Sequence, residues 1–519
     1  MPVDDSTTIM APISHKLFRN TTSSFGSSFP GDRRIHPSSK RLEVEQLEGD
    51  RPYNIAGSLQ ELETVLLGGV ALPSYCAPGL SPDMNWSDSI QEHMFEGSSA
   101  AESQPENNRG CLLPSPHGCR CNIIYSSENI FTNSTPNEAE LSNDPLDSTS
   151  SLEHLLLLCA QAVANEELDF AHDIINKLNQ VVSIYGDPMQ RLAAYMVEGL
   201  VAKLELSGKG LYSALKCKEP PLGDLLSAMQ IMYEVCPYFK FGYMAANGAI
   251  AEAFRDEDRV HIIDFEIAQG TQWISLIQAL AARPGGAPHV RITGVGDSRA
   301  SSRGLQVVRQ RLTNLAESVK VPFEFHPLPM KASDLQPWMF EVKPGEAVAV
   351  NLALQLHHMP DESVCTTNPR DRQLRMIRGL NPKVMTVVEQ EANTNTAPFF
   401  ARFTEVLSYY SAVFESLDVT LPRESRDRVN VEQQCLARDI VNIIACEGAD
   451  RVERHEVLGK WRARMIMAGF QPYPLSSYVN ATIKSLLESY SDKYRLKEEN
   501  GALFLGWLNR MLIVASAWH

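Results

Sequence analysis

Apolar residues recur at helical spacing along the segment SLEHLLLLCAQAVA. Its leucines, beginning with Leu152, Leu155 and Leu156, repeat every three to four residues, and Ser151 stands where a helix N-cap is expected. Further helical patterns continue to about residue 253 and are interrupted by prolines. The pattern predicts an α-helical subdomain that precedes any sheet.

The pattern changes at Arg259, because the run VHIIDF is short, almost entirely apolar and rich in β-branched residues. Such a run is typical of a strand that is covered on both faces. Segments of strand and helix character then alternate as far as KVMTVVEQ, which predicts a parallel, doubly wound sheet. Long helical patterns follow Pro398.

The C-terminal segment predicts an antiparallel ending to this sheet. Asn500-Gly501 stands between two strand-like runs, which is a strong hairpin signal, and the apolar run MLIVASAW follows as a final strand. The prediction for residues 151–519 is an α/β fold. It is a Rossmann-like, class I methyltransferase-like doubly wound sheet that ends in an antiparallel hairpin and carries an α-helical cap subdomain. A fold of this type does not by itself indicate an activity.

Residues 1–150 differ in kind from the rest of the chain. They are rich in Ser, Asn, Pro and acidic residues, and their apolar residues form short islands that cannot offset the entropy cost of ordering. We expect a disordered, acidic, Ser-rich N-terminal arm. One island, the short leucine motif at 58–69, has leucines on one helical face. It is either a recognition helix that folds on a partner or a transient helix of no consequence.

The charge balance and the cysteines exclude several classes of function. A formal net charge of −16 gives no positive surface for a phosphate backbone, so strong direct DNA binding is not expected. The acidic start and the lack of a long apolar run predict a soluble intracellular protein with no membrane partner. The cluster of Cys111, His117, Cys119 and Cys121 fits no common zinc spacing. We therefore expect no disulfide framework and no metal site.

A candidate ligand pocket lies at the predicted carboxyl ends of the first two strands. A methyltransferase or dehydrogenase would hold its cofactor in the loop after VHIIDF, where glycines let backbone amides approach the ligand. Only Gly270 remains in that loop, while Asp264 and Asp297 stand at the two strand ends. Asp297 could hold a ribose hydroxyl, and the alternative is that both aspartates cap helices or anchor loops. The glycine-poor loop favours a protein without a cofactor.

His357-His358 follow the predicted strand AVAVNLAL, at the sheet edge where α/β enzymes keep their chemistry. Two adjacent histidines make a poor metal pair without a third ligand in sequence, so we interpret them as structural hydrogen-bonding groups. No Ser-His-Asp or GxSxG arrangement supports hydrolase chemistry. We expect no catalytic residues and no enzyme activity.

Two leucine patterns carry alternative interpretations. Leu152, Leu155 and Leu156 spell LxxLL, which is either a contact for a partner protein or part of a core helix. The repeat from Leu305 to Val319 has coiled-coil spacing, but it covers only two heptads. That length favours a helix docked on the sheet over a free-standing coiled coil.

The run at 260–264 and the segments around it resemble the GRAS family of plant transcriptional regulators, in particular its scarecrow-like, phytochrome A signal transduction-like branch. The VHIID motif of that family is present as Val260, His261, Ile262, Ile263 and Asp264. The leucine-rich segments on either side resemble the first and second leucine repeats. The leucine motif at 58–69 resembles a motif that this branch carries before its domain.

The C-terminal half resembles two further regions of the same family. Elements of the PFYRE region are Pro382, Phe399, Phe400, Arg438 and Asp439. Here the sequence departs from the family pattern, with Phe400 for Tyr and Asp439 for Glu. Elements of the SAW region are Arg454, Glu456, Trp461, Gly469, Trp507, Ser516, Ala517 and Trp518.

The resemblance divides residues 151–519, the GRAS domain, into five ordered regions. These are leucine repeat I at 152–212, the VHIID region at 231–296, leucine repeat II at 305–340, the PFYRE region at 346–442 and the SAW region at 445–519. Each motif alone is a weak signal, but five in order over this length make a chance match implausible.

The resemblance implies a non-enzymatic transcriptional regulator or co-regulator in plant development or signalling. Its partners would be DNA-binding transcription factors and other GRAS proteins, in homodimers or heterodimers. Its location would be the nucleus, with the cytoplasm as an alternative. The runner-up hypothesis is a small-molecule (adenosyl-type) binding protein or a methyltransferase-like enzyme on the Rossmann-like core.

Overall fold

The computed structural model describes residues 148–205, 228, 231–296, 299–475 and 477–519. The predictions for the N-terminal arm and for Asp297 lie outside the described residues. In the described part of the chain, no helix is long and apolar enough to cross a membrane.

The predicted helical cap begins with α1 (Ser148–Ala164), α2 (Leu168–Val181) and α3 (Pro188–Glu205). Helix α1 packs on both α2 and α3. Its leucine stripe explains this packing, because Leu156 and Cys159 are fully buried one turn apart on the same face.

Strands and helices then alternate through the centre of the domain. Their order is α4 (Tyr238–Ala253), β1 (Arg259–Asp264), α5 (Thr271–Ala281), β2 (His289–Val295), α6 (Arg299–Ser318), β3 (Phe323–Leu328), β4 (Ala347–Ala353), α7 (Pro369–Gly379) and β5 (Val384–Gln390). Short 3-10 turns at Ala332–Asp334 and Pro337–Phe340 connect β3 to β4, and another at Leu356–His358 follows β4.

The C-terminal part begins with helices and ends with strands. Its order is α8 (Phe399–Thr420), α9 (Arg426–Val431), a π-helical stretch (Glu432–Leu436), α10 (Ala437–Ala445), a 3-10 turn (Gly448–Asp450), α11 (Leu458–Met467), β6 (Pro472–Tyr473), α12 (Ser477–Glu488), β7 (Tyr494–Glu499), β8 (Ala502–Trp507) and β9 (Arg510–Trp518).

One sheet contains all of these strands, in the order β3-β2-β1-β4-β5-β9-β8-β7, with β6 paired to β9. Strands β1 to β5 are parallel, and β9 is antiparallel to both of its neighbours. The final strand is therefore interior to the sheet. This arrangement confirms the predicted doubly wound α/β fold with an antiparallel ending.

The predicted hairpin is also confirmed. Asn500 and Gly501 have positive φ angles of 54° and 75°, as a two-residue type I′ turn requires, and Glu499 pairs with Ala502 across it. Helix α6 docks on α5 and β3, with Leu305, Val308 and Leu312 buried in that contact. Its heptad-like stripe is therefore a packing surface inside the domain.

Two helices from the C-terminal half complete the cap, which the sequence pattern did not predict. Helix α8 packs on α1 and α3, and α10 packs on α3 and α8. The buried Arg191 joins α3 to the C-terminal helices. It donates hydrogen bonds to Asp418 of α8 at 2.8 Å and to Glu432 of the π-helical stretch at 2.9 Å. A buried guanidinium needs such charged partners to offset its loss of hydration.

Candidate functional site

The VHIID residues lie at the centre of the sheet, on β1, between β2 and β4. Successive side chains alternate between the two faces of a strand. Val260 and Ile262 pack with the apolar residues of α4, α5 and α6, whereas Ile263 packs on the opposite face. All five side chains of the motif are buried. The three aliphatic members therefore form the two-sided core of the domain.

His261 is a buried polar residue that joins β1 to β2. Its Nδ1 accepts a hydrogen bond from Arg291 Nη2 at 3.0 Å, so Nε2 carries the proton and donates to Thr293 Oγ1 at 2.7 Å. Arg291 also donates to Glu346 at 2.9 Å. Burial, followed by the Arg291 charge, lowers the pKa of His261 to about 3, so the ring is neutral at physiological pH. This imidazole is fully bonded to the protein.

Asp264 ends β1 and anchors the elements beside it. Its Oδ2 accepts a hydrogen bond from Trp273 Nε1 at 2.8 Å, and its Oδ1 accepts from Asn351 Nδ2 at 3.2 Å and from the Glu266 amide at 3.3 Å. Burial raises the pKa of Asp264 to about 6, although these hydrogen bonds oppose the shift. Because Trp273 is on α5 and Asn351 is on β4, the carboxylate ties β1 to both elements.

Side-chain amides that no sequence motif marked extend this network. Gln272 and Asn351 exchange two hydrogen bonds, at 3.2 and 3.1 Å. Asn247 of α4 donates to the Gln272 carbonyl oxygen at 2.8 Å, and Thr386 of β5 donates to Asn351 at 2.8 Å. These residues come from four separate elements and have no common spacing, which is why sequence reasoning missed them.

The loop after β1 folds down onto the end of β2. The Ile267 amide donates to the Val295 carbonyl oxygen at 3.2 Å, and the Ile267 side chain is only 3% exposed. A Cβ added to Gly294 would lie 2.7 Å from Ile267 Cδ1, so the glycine makes room for this contact. The space left between Tyr243, Asp264 and the loop is about 10 Å³. That volume suits a single water molecule, whereas pockets for cofactors measure hundreds of Å³.

Both the backbone conformation and the packing at position 270 favour glycine. Its φ angle is +68°, in the left-handed region, where it stands as the N-cap of α5. A Cβ at this position would lie 2.9 Å from Val308 Cγ1 of α6. Of the three residues of the candidate pocket, Asp264 and Gly270 stand at opposite ends of one closed loop, and Asp297 is outside the described residues.

A second polar cluster, which we call the ion network, consists of Asp361, Arg370, Asn395, Glu456 and Arg464. Arg464 donates to Glu456 at 2.7 and 3.0 Å and lies 3.2 Å from Asp361. Arg370 lies 3.3 Å from Glu456 and 3.7 Å from Asp361. Asn395 donates to Glu456 at 2.9 Å. Each carboxylate is shared by two arginines, so the charges compensate one another inside the protein.

The other SAW residues surround this network or build the adjacent sheet. Arg454 donates to Asn395 Oδ1 at 3.1 Å, and the ring of Trp461 faces the Arg370 guanidinium at 4.9 Å. Gly469, with a φ angle of +94°, follows the end of α11.

The C-terminal SAW residues pack on both faces of the sheet. Trp518 lies in the same apolar cluster as Trp461, and its Nε1 donates to Ser516 Oγ at 3.0 Å. Ala517 lies in the apolar cluster on the other face of the sheet, which also contains Val260 and Ile262. Trp507 lies in the cap cluster, 4.9 Å from the ring of Tyr494. The SAW residues therefore lie in three separate apolar clusters of the domain.

Comparison with known proteins matches residues 152–519 to the GRAS domain family, which is more than half of the chain. The chain belongs to the GRAS family. Members of this family include plant transcriptional regulators, and the similar proteins of this chain include scarecrow-like ones.

Two relatives and one solved structure define the similarity. The chain is 62% identical over 367 residues to the scarecrow-like transcription factor PAT1 of Arabidopsis thaliana, covering 70% of this chain and 75% of that protein. It is 51% identical over 477 residues to chitin-inducible gibberellin-responsive protein 1 of Oryza sativa subsp. japonica, and the match covers 90% of this chain and 81% of that protein. The crystal structure of SCL7 from Oryza sativa matches with a TM-score of 0.64 and 36% identity, covering 71% of this chain and 99% of that one.

The PFYRE residues of this GRAS domain are buried or half-buried, and they mainly contribute to packing. Pro382 is buried just before β5, and Phe399 and Phe400 are half-buried at the start of α8. The Phe399 ring lies 4.5 Å from the Lys203 ammonium. Arg438 is buried and Asp439 is half-buried at the start of α10. The region joins the cap to the sheet.

The LxxLL leucines, for which a partner contact and a core helix were both open interpretations, lie on the first helix of the cap. Leu152 and Leu156 are 5% and 0% exposed and pack in the cap core, while Leu155 is half-buried. The helical spacing that suggested a partner contact is the spacing of the face that α1 turns toward α2 and α3. Leu152 and Leu156 stabilise the cap itself and are not accessible to a partner in this fold.

Proposed function

We propose that this GRAS protein is a non-enzymatic transcriptional co-regulator in plant development or signalling. It acts in the nucleus by binding DNA-binding transcription factors and other family members. The single observation that carries the proposal is the closed loop after β1. Ile267 and its neighbours fill the position at which a related α/β enzyme would hold a cofactor, leaving about 10 Å³.

The chemistry of the buried groups supports the same conclusion. His261 is neutral and bonded to Thr293 and Arg291, and Asp264 accepts hydrogen bonds from Trp273 and Asn351. A general base must reach a substrate proton at hydrogen-bond distance. These groups instead direct their polar atoms at other parts of the protein.

The exposed apolar residues of the cap are a candidate surface for a partner. Phe170 and Val181 lie on one face of α2 and are 44% and 47% exposed, and Tyr185, just beyond the end of the helix, is 62% exposed. Exposed large apolar side chains that occur together mark interaction sites more often than isolated ones do. We propose that partner proteins bind this surface, which we call the α2 surface, instead of the buried leucines of α1.

The charge of the chain favours recruitment to DNA by a partner. A formal net charge of −16 opposes binding to a phosphate backbone, which requires clustered Lys and Arg. A partner that binds DNA would supply the sequence specificity. The co-regulator would then contribute contacts to other regulators.

The experiment combines a reporter with recovery of partners from plant nuclei. The full-length protein, fused to a heterologous DNA-binding domain, should change the expression of a reporter gene. Phe170→Asp should reduce recovery of co-purifying DNA-binding factors by about tenfold or more, because a charge cannot be buried in an apolar interface without a partner. The matched control is Val307→Asp, since Val307 is 61% exposed on α6, away from the α2 surface.

Two results would count against the proposal. Equal recovery with Phe170→Asp and Val307→Asp would refute the α2 surface as the binding site. Saturable calorimetric binding of S-adenosylmethionine, abolished by Asp264→Asn, would instead support the adenosyl-binding alternative and contradict the closed loop.

A further inference from the structure

Two segments run side by side at the carboxyl edge of β4 and β5. The first is the 3-10 turn Leu356–His358, and the second is the extended stretch at 451–456. The Arg454 amide donates to the His357 carbonyl oxygen at 3.0 Å, which fixes the distance between the two segments. The first segment supplies two histidines, and the second supplies a glutamate and a third histidine.

Three imidazole nitrogens approach a single carboxylate oxygen at this place. Glu453 Oε2 lies 3.6 Å from His357 Nε2, 3.5 Å from His358 Nε2 and 3.6 Å from His455 Nε2. The ligand atoms of His357, His358 and Glu453 all lie within 4.8 Å of one another. His357 is stacked on His455 with ring centroids 4.5 Å apart.

We propose that His357, His358 and Glu453 bind one Zn²⁺ ion, with a water molecule as the fourth ligand. Zinc bonds to imidazole nitrogen and carboxylate oxygen of about 2.0–2.2 Å, at tetrahedral angles, place neighbouring ligand atoms about 3.3–3.5 Å apart. The distances from the His357 and His358 Nε2 atoms to Glu453 Oε2 exceed that separation by only a few tenths of an ångström at most. Small side-chain rotations would bring these three ligands onto one ion.

A hydrogen bond behind one ligand orients its ring for this role. The Nδ1 atom of His357 lies 2.5 Å from Glu389 Oε2, so the Nε2 atom of the same ring is turned toward Glu453. His455, whose Nδ1 atom lies 3.0 Å from Thr394 Oγ1, stacks on the His357 ring and supports that orientation. A carboxylate behind a ligating imidazole is the arrangement that fixes tautomer and ring orientation in zinc proteins.

The positive groups that face the cluster are Arg370, Arg438 and Arg451. Arg370 is already paired with Asp361 and Glu456 of the ion network, which offsets its repulsion of a metal ion. Arg438 is offset by Asp439 and by Glu453 itself. The site would join the turn after β4 to the extended stretch at 451–456, so its ion would be structural.

The test measures metal in the untagged, full-length protein. After equilibration with Zn²⁺ and removal of free ions, elemental analysis should find about one zinc per chain. Glu453→Gln and His358→Gln should each lower that content at least about tenfold, because an amide is a poor zinc ligand. The matched control, His172→Gln on the exposed face of α2, should retain the metal.

Two further measurements distinguish this site from zinc bound by cysteine thiolates. Co²⁺ in place of Zn²⁺ should give the visible absorption of tetrahedral cobalt without the thiolate charge-transfer band of a cysteine site. Replacing Cys119 and Cys121 by Ser should leave the zinc content unchanged, which excludes the cysteine cluster of the N-terminal arm. Circular dichroism of each variant should match that of the parent protein.

Several outcomes would overturn the proposal. The first is a parent protein that holds less than about one tenth of an equivalent of zinc after equilibration. The second is a folded Glu453→Gln variant that retains its metal, and the third is loss of the metal in the cysteine variant. If Glu453→Gln does not fold, the zinc content and cobalt spectrum of the parent protein still decide the question.

Discussion

Replacement of Trp518 by Ala tests the interior position of the last strand. Trp518 is 1% exposed, and its strand pairs there with Met385 of β5 and with Pro472 of β6. Burial of an aromatic side chain of about 150–250 Å², at about 25 cal/mol per Å², stabilises the fold by about 4–6 kcal/mol. Since the surroundings relax in part, we expect Trp518→Ala to cost about 3–5 kcal/mol.

The assay is thermal unfolding followed by circular dichroism. At an unfolding entropy of about 2.1 cal/mol/K per residue, a domain of this length has about 0.8 kcal/mol/K, so that cost lowers Tm by about 4–6 °C. The matched control is Trp338→Ala, because Trp338 is 73% exposed and its loss should change stability by less than about 0.5 kcal/mol. A Trp518→Ala protein that melts within about 1 °C of the parent would refute the packing argument.

Two other predictions concern His261 and Gly270. The pKa of His261 is lowered to about 3 in the folded state, so the unfolded state binds its proton first. The stability advantage of the parent over His261→Asn should therefore be full above about pH 6.5 and shrink as the pH falls toward 3, and a Tm difference that stays constant with pH would contradict this. Gly270→Ala should destabilise more than Gly285→Ala in urea unfolding. Both glycines have positive φ, but only Gly270 has an atom within 3.0 Å of the added Cβ.

Local signals in the sequence were sufficient for the central strands and for the hairpin. VHIIDF predicts a strand covered on both faces because β-branched residues occupy both faces of β1, and Asn500-Gly501 predicts a turn in which both residues need positive φ. The sequence pattern did not predict the turn between β8 and β9. There the positive φ of 50° falls on Leu508, a residue type that rarely adopts it.

Contacts between distant segments could not be predicted in the same way. The completion of the cap by α8 and α10 depends on tertiary packing, which leaves only an ordinary amphipathic pattern in each helix. The histidine pair after β4 had no third metal ligand in its own segment. Glu453 and His455 reach it from the SAW region, and nothing in their local sequence marks them as neighbours of His357.

Perturbed pKa values usually direct attention to catalytic sites, and this GRAS domain shows why burial must be separated from access. The pKa of Asp264 is raised mainly by burial, yet its oxygens accept hydrogen bonds from Trp273 and Asn351 and face about 10 Å³ of free space. In an enzyme, the same carboxylate would need a substrate-sized volume beside it. The sheet keeps the polar residues of a doubly wound fold, but the loop after β1 fills their substrate position with the protein's own side chains. Under the proposed function, the raised pKa of Asp264 therefore reflects its burial and not a catalytic role.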